Sequence, residues 1–207
     1  MGTVDRMDWQ PFAAMNLLRN PFGELTREDR VRAAVVDVAD CIDRLQQPQT
    51  ALQFIADCGR GKTTHLLSIA AQAPAAAYVY LPEDERCPPI PHGQPLLIDE
   101  AQRLPWLVRR RAFARGGALV LGTHVDLTGP LRRAGYRVWT YHVGQDLTAE
   151  RLAQMLNRRI QLAQLCSGPI PQISETEAAD WMVRHGSDIR AIEFDLYERF
   201  QQQIGVG

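Results

Sequence analysis

The segment Leu52-Gln53-Phe54-Ile55-Ala56-Asp57-Cys58-Gly59-Arg60-Gly61-Lys62-Thr63-Thr64-His65-Leu66-Leu67-Ser68-Ile69-Ala70 passes from an apolar run, through a glycine turn, into a helical pattern. Leu52 to Ile55 reads as a buried strand. Leu66, Leu67, Ile69, Ala70 and Ala71 carry the spacing of a helix packed on a sheet. Between them, Gly59 and Gly61 let the backbone curl so that successive N–H groups converge. The helix that follows adds the partial positive charge of its first turn. Such a turn suits phosphate oxygens, with Cys58, Gly59, Arg60, Gly61, Lys62, Thr63 and Thr64 as the candidate cradle. Lys62 can reach the β- and γ-phosphates as a solvent-facing loop group, and the Thr63 hydroxyl can ligate Mg²⁺. The match to G-x-x-x-x-G-K-[ST] departs once, where Ala56 takes the first glycine position.

Lysine usage supports the same point. The chain has 23 basic residues, and Lys62 is the only lysine among them. An ammonium is a compact point charge, whereas a guanidinium is broad and planar, so the single lysine marks a slot that arginine does not fit.

Downstream, Pro95-Leu96-Leu97-Ile98-Asp99-Glu100 is a short apolar strand ending in two carboxylates. Beside a phosphate turn, Asp99 suits the surroundings of Mg²⁺, and Glu100 can polarise an attacking water. That pairing favours hydrolysis of ATP over a Ras-like switch or a small nucleotide kinase. Further strands are expected at Ala77 to Leu81, Ala118 to Gly122 and Val138 to Val143. Thr123, after the second of these, would stand beside the γ-phosphate if its strand lies between the two motif-bearing strands. Five strands alternating with helices predict an α/β domain with a mostly parallel sheet and its ligand at the strand carboxyl ends.

Helical spacing before the sheet runs from Arg27 to Leu45, opened by Thr26-x-x-Asp29. After the sheet the pattern is all helical: Thr148 to Leu165, a helix opened by Ser174-x-x-Glu177 and ending at His185, and Asp188 to Ile204. This predicts an N-terminal segment over 1–25, an α/β domain over 26–146 and a small helical domain over 147–207.

Composition bounds the rest. The chain has 207 residues, 45% hydrophobic and 23% charged, which excludes collagen-like, coiled-coil and wholly disordered classes. A formal net charge of −1 does not advertise nucleic-acid binding. No apolar run approaches the length of a membrane span, and Met1 to Arg30 lacks the apolar core of a signal peptide. Cys41, Cys58, Cys87 and Cys166 form no CxxC pair, so free thiols and a cytoplasmic setting are expected. Arg109-Arg110-Arg111 with Arg115 reads either as a solvated helix face or as a nucleic-acid or partner contact. None of the five histidines shows metal-ligand spacing.

Taken together, the phosphate turn, the Asp-Glu strand, the strand-end threonine and the helical tail resemble an AAA+ P-loop ATPase over roughly residues 20 to 203. The likeness is to compact members of the secretion, transposition and initiator kinds. It implies a P-loop NTPase fold with a C-terminal helical lid, ATP and Mg²⁺ as ligands, and a homo-oligomer. It also implies a protein partner whose state the ATPase changes. In Asn20-Pro21-Phe22 it implies that Phe22 lies near adenine. Gly129-Pro130-Leu131-Arg132-Arg133-Ala134 stands where that family carries an arginine finger, which implies Arg132 or Arg133. Gly186-Ser187-Asp188-Ile189-Arg190 resembles the sensor-2 helix start, which implies that Arg190 reaches the γ-phosphate from the lid. The catalytic set is then Glu100, Lys62, Thr123, Arg132, Arg133 and Arg190, with Thr63 and Asp99 at the metal. The chain departs from AAA+ threading motors between Leu81 and Pro95, where four prolines forbid an ordinary helix and no aromatic pore loop occurs. Two other functions fit the same residues: a nucleotide-dependent binding module with negligible turnover, and a DNA-associated ATPase using Arg109 to Arg115.

Overall fold

The computed structural model describes residues 11–57, 59–145 and 147–204. The chain divides into two compact units, one of residues 30–147 and one joining residues up to 29 with those from 148 onward.

The first unit is an α/β layer structure. Its five strands are β1 (Thr50–Ile55), β2 (Ala77–Tyr80), β3 (Leu96–Asp99), β4 (Leu119–Thr123) and β5 (Arg137–His142). They form one sheet in the order β2-β3-β4-β1-β5, and every pair is parallel. A parallel sheet needs both faces covered, because the crossover helices lie on them. Side chains alternate accordingly. Leu52, Phe54, Leu97 and Val120 point to one face, where they pack with Cys41 of α2 (Ala39–Leu45) and with Leu66 and Ile69 of α3 (Lys62–Gln72). Leu96, Ile98, Leu119 and Leu121 point to the other. There they meet Ala112 and Phe113 of α4 (Trp106–Phe113) and Leu131 of α5 (Thr128–Arg133).

The five expected strands are present, each within a few residues of its expected bounds. The expected helix from Arg27 to Leu45 is instead two: α1 (Arg27–Ala33) and α2. The break has a local cause. Val35-Val36 is β-branched and stiff in a helix, and the Asp37 carboxylate accepts from the Ala39 N–H at 2.9 Å, which ends one segment and starts the next. Segment 82–94 has no regular secondary structure, as its prolines require.

The second unit is helical. It contains α6 (Ala149–Leu162), α7 (Glu175–His185) and α8 (Ile189–Gln202). The Ser174 hydroxyl accepts from the Glu177 N–H at 3.1 Å, the cap expected from the sequence. Asp188 caps α8 in the same way, through the N–H groups of Arg190 and Ala191. Residues 16–18 pair with the chain at the end of α6. Leu17 pairs with Gln164 as a backbone bridge, Leu18 N–H donates to Ala163 O at 2.7 Å, and Leu165 N–H donates to Asn16 O at 2.9 Å.

Arg159 of α6 holds this junction. Its guanidinium is buried, donates to the Pro21 carbonyl at 3.0 Å and the Gly23 carbonyl at 2.6 Å, and pairs with Glu193 of α8. Phe22 packs edge-on to Phe200 with ring centroids 5.3 Å apart. Among the described residues no helix is long and apolar enough to cross a membrane.

Removing a buried cation strands its carboxylate and two carbonyls. Arg159→Ala is expected to destabilise the chain by about 3 kcal/mol or more. Urea unfolding followed by far-ultraviolet circular dichroism measures this, and an unchanged midpoint would contradict it.

Candidate functional site

The turn between β1 and α3 is held open by two glycines in the left-handed region, Gly59 at φ 80° and Gly61 at φ 95°. A side chain at either would be strained, which explains why glycine stands at both. Cys58 lies outside the described residues. Lys62 is the first residue of α3, and here the structure corrects the sequence reading. The side chain is buried, not solvent-facing: Nζ donates to the carbonyls of Ala56 at 2.9 Å and Asp57 at 3.1 Å. The ammonium thus closes the turn around itself. Arg60 leans back on the turn, pairing with Asp57 at 3.2 Å. Thr64 is half-buried in the first turn of α3.

The acidic end of β3 meets this helix start. Thr63 Oγ1 donates to Asp99 Oδ2 at 2.6 Å across 36 positions of sequence. Asp99 is fully buried, and an unpartnered carboxylate there would be costly. It also accepts from Tyr78 OH at 3.0 Å and from the Glu100 N–H at 3.1 Å. Gly122 of β4 leaves the space for it, since a Cβ at that position would stand 2.5 Å from Asp99 Oδ1.

Glu100 has φ 61° and ψ 41°, a left-handed conformation that a non-glycine residue adopts at a cost of about 1 kcal/mol or more. The bend turns its carboxylate towards Lys62. Glu100 Oε2 accepts from Gln102 Nε2 at 2.7 Å, and Oε1 stands 3.8 Å from Lys62 Nζ. His124 completes the cluster: its Nε2 is 3.1 Å from Glu100 Oε2 and 3.2 Å from Lys62 Nζ. The backbone N–H of His124 donates to Gln102 Oε1 at 3.3 Å.

Strand order explains the convergence. β4 lies between β1 and β3, so Thr123 comes level with Ile55 of β1 and His124 follows beside Glu100. The Thr123 hydroxyl is buried and donates to Val125 O at 2.9 Å. Below it, the buried Gln53 of β1 pins the following turn, with Nε2 2.8 Å from Asp126 Oδ1 and from the Thr128 and Thr140 hydroxyls. The Thr128 hydroxyl, then its N–H, then Gln53 hold the Asp126 carboxyl below the usual carboxylate range.

The structure therefore gathers Gly59, Gly61, Lys62, Thr63, Asp99, Glu100 and Thr123 at one end of the sheet. Arg132 and Arg133 do not join them. They are exposed in the last turn of α5, just before β5 begins, and so at the opposite end of the parallel strands. Phe22 and Arg190 belong to the helical unit, Phe22 buried against Phe200 and Arg190 exposed in the first turn of α8. Sequence reasoning missed Gln102, Gly122 and His124. His124 carries a signal, since it directly follows the strand-end threonine. Among the described residues no group of three or more His, Cys, Asp or Glu side chains could hold a metal by itself.

No protein-family model matches the chain, and a search of curated proteins found no match.

The contact between Gly122 and Asp99 gives a test of this geometry. Gly122→Ala is expected to cost about 1–3 kcal/mol through overpacking. In an Asp99→Ala background the same change should cost clearly less, because the clashing oxygen is gone. Denaturant unfolding of the four proteins of this cycle measures both, and equal costs in the two backgrounds would contradict the packing described.

Proposed function

We propose that the chain binds Mg·ATP at the turn between β1 and α3 and hydrolyses it, as a compact AAA+-like ATPase that changes the state of a protein partner. The observation that carries this reading is the 2.6 Å hydrogen bond from Thr63 to Asp99, which joins the lysine-bearing helix start to the acidic strand end. A hydroxyl and a carboxylate side by side form a hard-oxygen donor set of the kind Mg²⁺ takes, usually alongside phosphate oxygens. Thr63 and Asp99 would hold the ion. When bound with ATP, Mg²⁺ offsets charge on the β- and γ-phosphates.

The chain's own groups divide the remaining work. Lys62 can exchange its carbonyl partners for phosphate oxygens and stay satisfied. Glu100 accepts the proton of the attacking water as the water oxygen bonds to the γ-phosphorus. The bond from that phosphorus to the bridging oxygen breaks, leaving ADP and phosphate. The central position of β4 supports a sensing role for Thr123. The lid role of Arg190 and the adenine contact of Phe22 rest on the AAA+ resemblance alone.

A second reading, a nucleotide-dependent switch with negligible turnover, is favoured by one observation: the Glu100 carboxylate is already engaged by Gln102 and His124. Steady-state phosphate release separates the two.

Lys62→Ala should lose most ATP affinity and lower stability by about 1 kcal/mol, because two turn carbonyls lose their donor. Glu100→Gln should bind ATP at least as well as the parent but hydrolyse it about 10²–10⁴-fold more slowly. Titration calorimetry and phosphate release read the two effects. Parental affinity in the first variant or parental turnover in the second would overturn the assignment.

The place of Arg132 and Arg133, at the end of the strands away from Lys62, suits a finger lent to a second copy of the chain. A finger supplied in trans is worth about 10³-fold or more in turnover. Arg132→Ala or Arg133→Ala should cut turnover with ATP affinity nearly kept, and mixing that variant with Lys62→Ala should restore part of the rate. A rate independent of protein concentration, with no rescue on mixing, would contradict the homo-oligomer.

A further inference from the structure

On the sheet face opposite α3, the proline-rich segment between β2 and β3 lies along α4 and leaves a groove of about 700 Å³. Its floor is apolar: Cys87, Ile90 and Val108 line it and also pack on the core beneath. Its walls carry three guanidiniums, Arg86, Arg111 and Arg115, and no carboxylate.

Arg115 has a structural task, because its Nη1 donates to the carbonyls of Ile90 at 3.2 Å and Pro91 at 2.8 Å and so fixes the segment to the end of α4. Arg86 and Arg111 have no such task. Both are exposed, and neither forms an ion pair or hydrogen bond with the described residues. One helical turn from Arg111, Leu107 is 58% exposed, and beside it Trp106 is 61% exposed. Adjoining exposed apolar side chains rimmed by charge are a feature of interaction surfaces.

We propose that this groove binds an acidic segment of a partner protein, carboxylates on Arg86 and Arg111 and at least one apolar side chain on the Ile90–Val108 floor. The proposal is independent of nucleotide, since none of these residues belongs to the Lys62 cluster. Charge fixes the sign of the ligand, and the floor fixes its class. A single strand would satisfy the arginines with its phosphates, but Cys87, Ile90 and Val108 give its bases no aromatic face to stack on. A peptide offers both kinds of group at the spacing of side chains. Tryptophan and arginine at the rim are the residues that most often carry binding energy at protein interfaces.

The test uses the full chain and an array of immobilised 12-residue peptides rich in Asp and Glu, with one or two Leu or Phe residues at every spacing. Matched peptides carrying Asn and Gln, and a fluorescein-labelled single-stranded dT12, are the comparisons. Capture is expected for a subset of the acidic peptides, weakening as salt is raised. It should fall by about tenfold or more in the Arg86→Glu/Arg111→Glu double variant. It should be retained in Arg86→Lys/Arg111→Lys and in Lys62→Ala. Since both arginines are exposed and unpaired, the double variant should melt as the parent does. Capture no better than by the Asn/Gln peptides, capture unchanged in the charge-reversed variant, or tighter binding of dT12 that the same variant abolishes would each overturn the proposal.

Discussion

A carboxylate with no exposed surface closes the third strand, and the end of the sheet is built around making it tolerable. An isolated buried charge costs several kcal/mol, so Asp99 needs partners on every side. It finds them in three elements: the Thr63 hydroxyl at the start of α3, the Tyr78 hydroxyl on β2, and the N–H of its own successor. The fourth side is left open by Gly122, whose missing side chain is the space the carboxylate occupies. One buried charge therefore fixes the helix start against β3 and requires glycine on β4. The turn between β1 and α3 and the acidic strand end are held in register by the same group.

Beside it lies a second charged cluster with a different character. Lys62, Glu100 and His124 approach one another within hydrogen-bond or ion-pair distance, and Gln102 braces both Glu100 and the His124 backbone. Glu100 reaches this cluster only through a left-handed backbone. Strain of that kind persists where the surroundings over-determine it, and functional sites are where it concentrates. The two carboxylates of Asp99-Glu100 thus have divided fates. Asp99 is locked among neutral donors, and Glu100 is poised beside a cation and an imidazole.

Much of this was legible in the sequence because it depends on local rules. The run from Leu52 to Ile55, the glycines at 59 and 61 and the apolar spacing after Lys62 specify strand, turn and helix without tertiary information. The cap at Ser174 is likewise local. What stayed hidden depends on strand order. Gly122 is an unremarked strand residue until β4 is seen beside β3, and His124 is a histidine without metal-ligand spacing until the same neighbour brings Glu100 to it. The burial of Lys62 was hidden for a related reason, since a turn that folds back on its own side chain supplies carbonyls no periodicity reveals. The break between α1 and α2 was missed because helical spacing alone outweighed two β-branched valines and an aspartate able to cap. Arg159 shows the converse limit: its partners Pro21, Gly23 and Glu193 come from both ends of the helical unit.

If Lys62 and its turn exist to hold phosphates, affinity must follow phosphate number. Titration calorimetry of the parent chain with adenosine, AMP, ADP and ATP, each with and without Mg²⁺, measures this most directly. The account predicts weak or no binding for adenosine and AMP, and tight saturable binding for ADP and ATP, with Mg²⁺ strengthening ATP. Equal affinity across the series, or no heat with Mg·ATP from a chain that melts cooperatively, would contradict it.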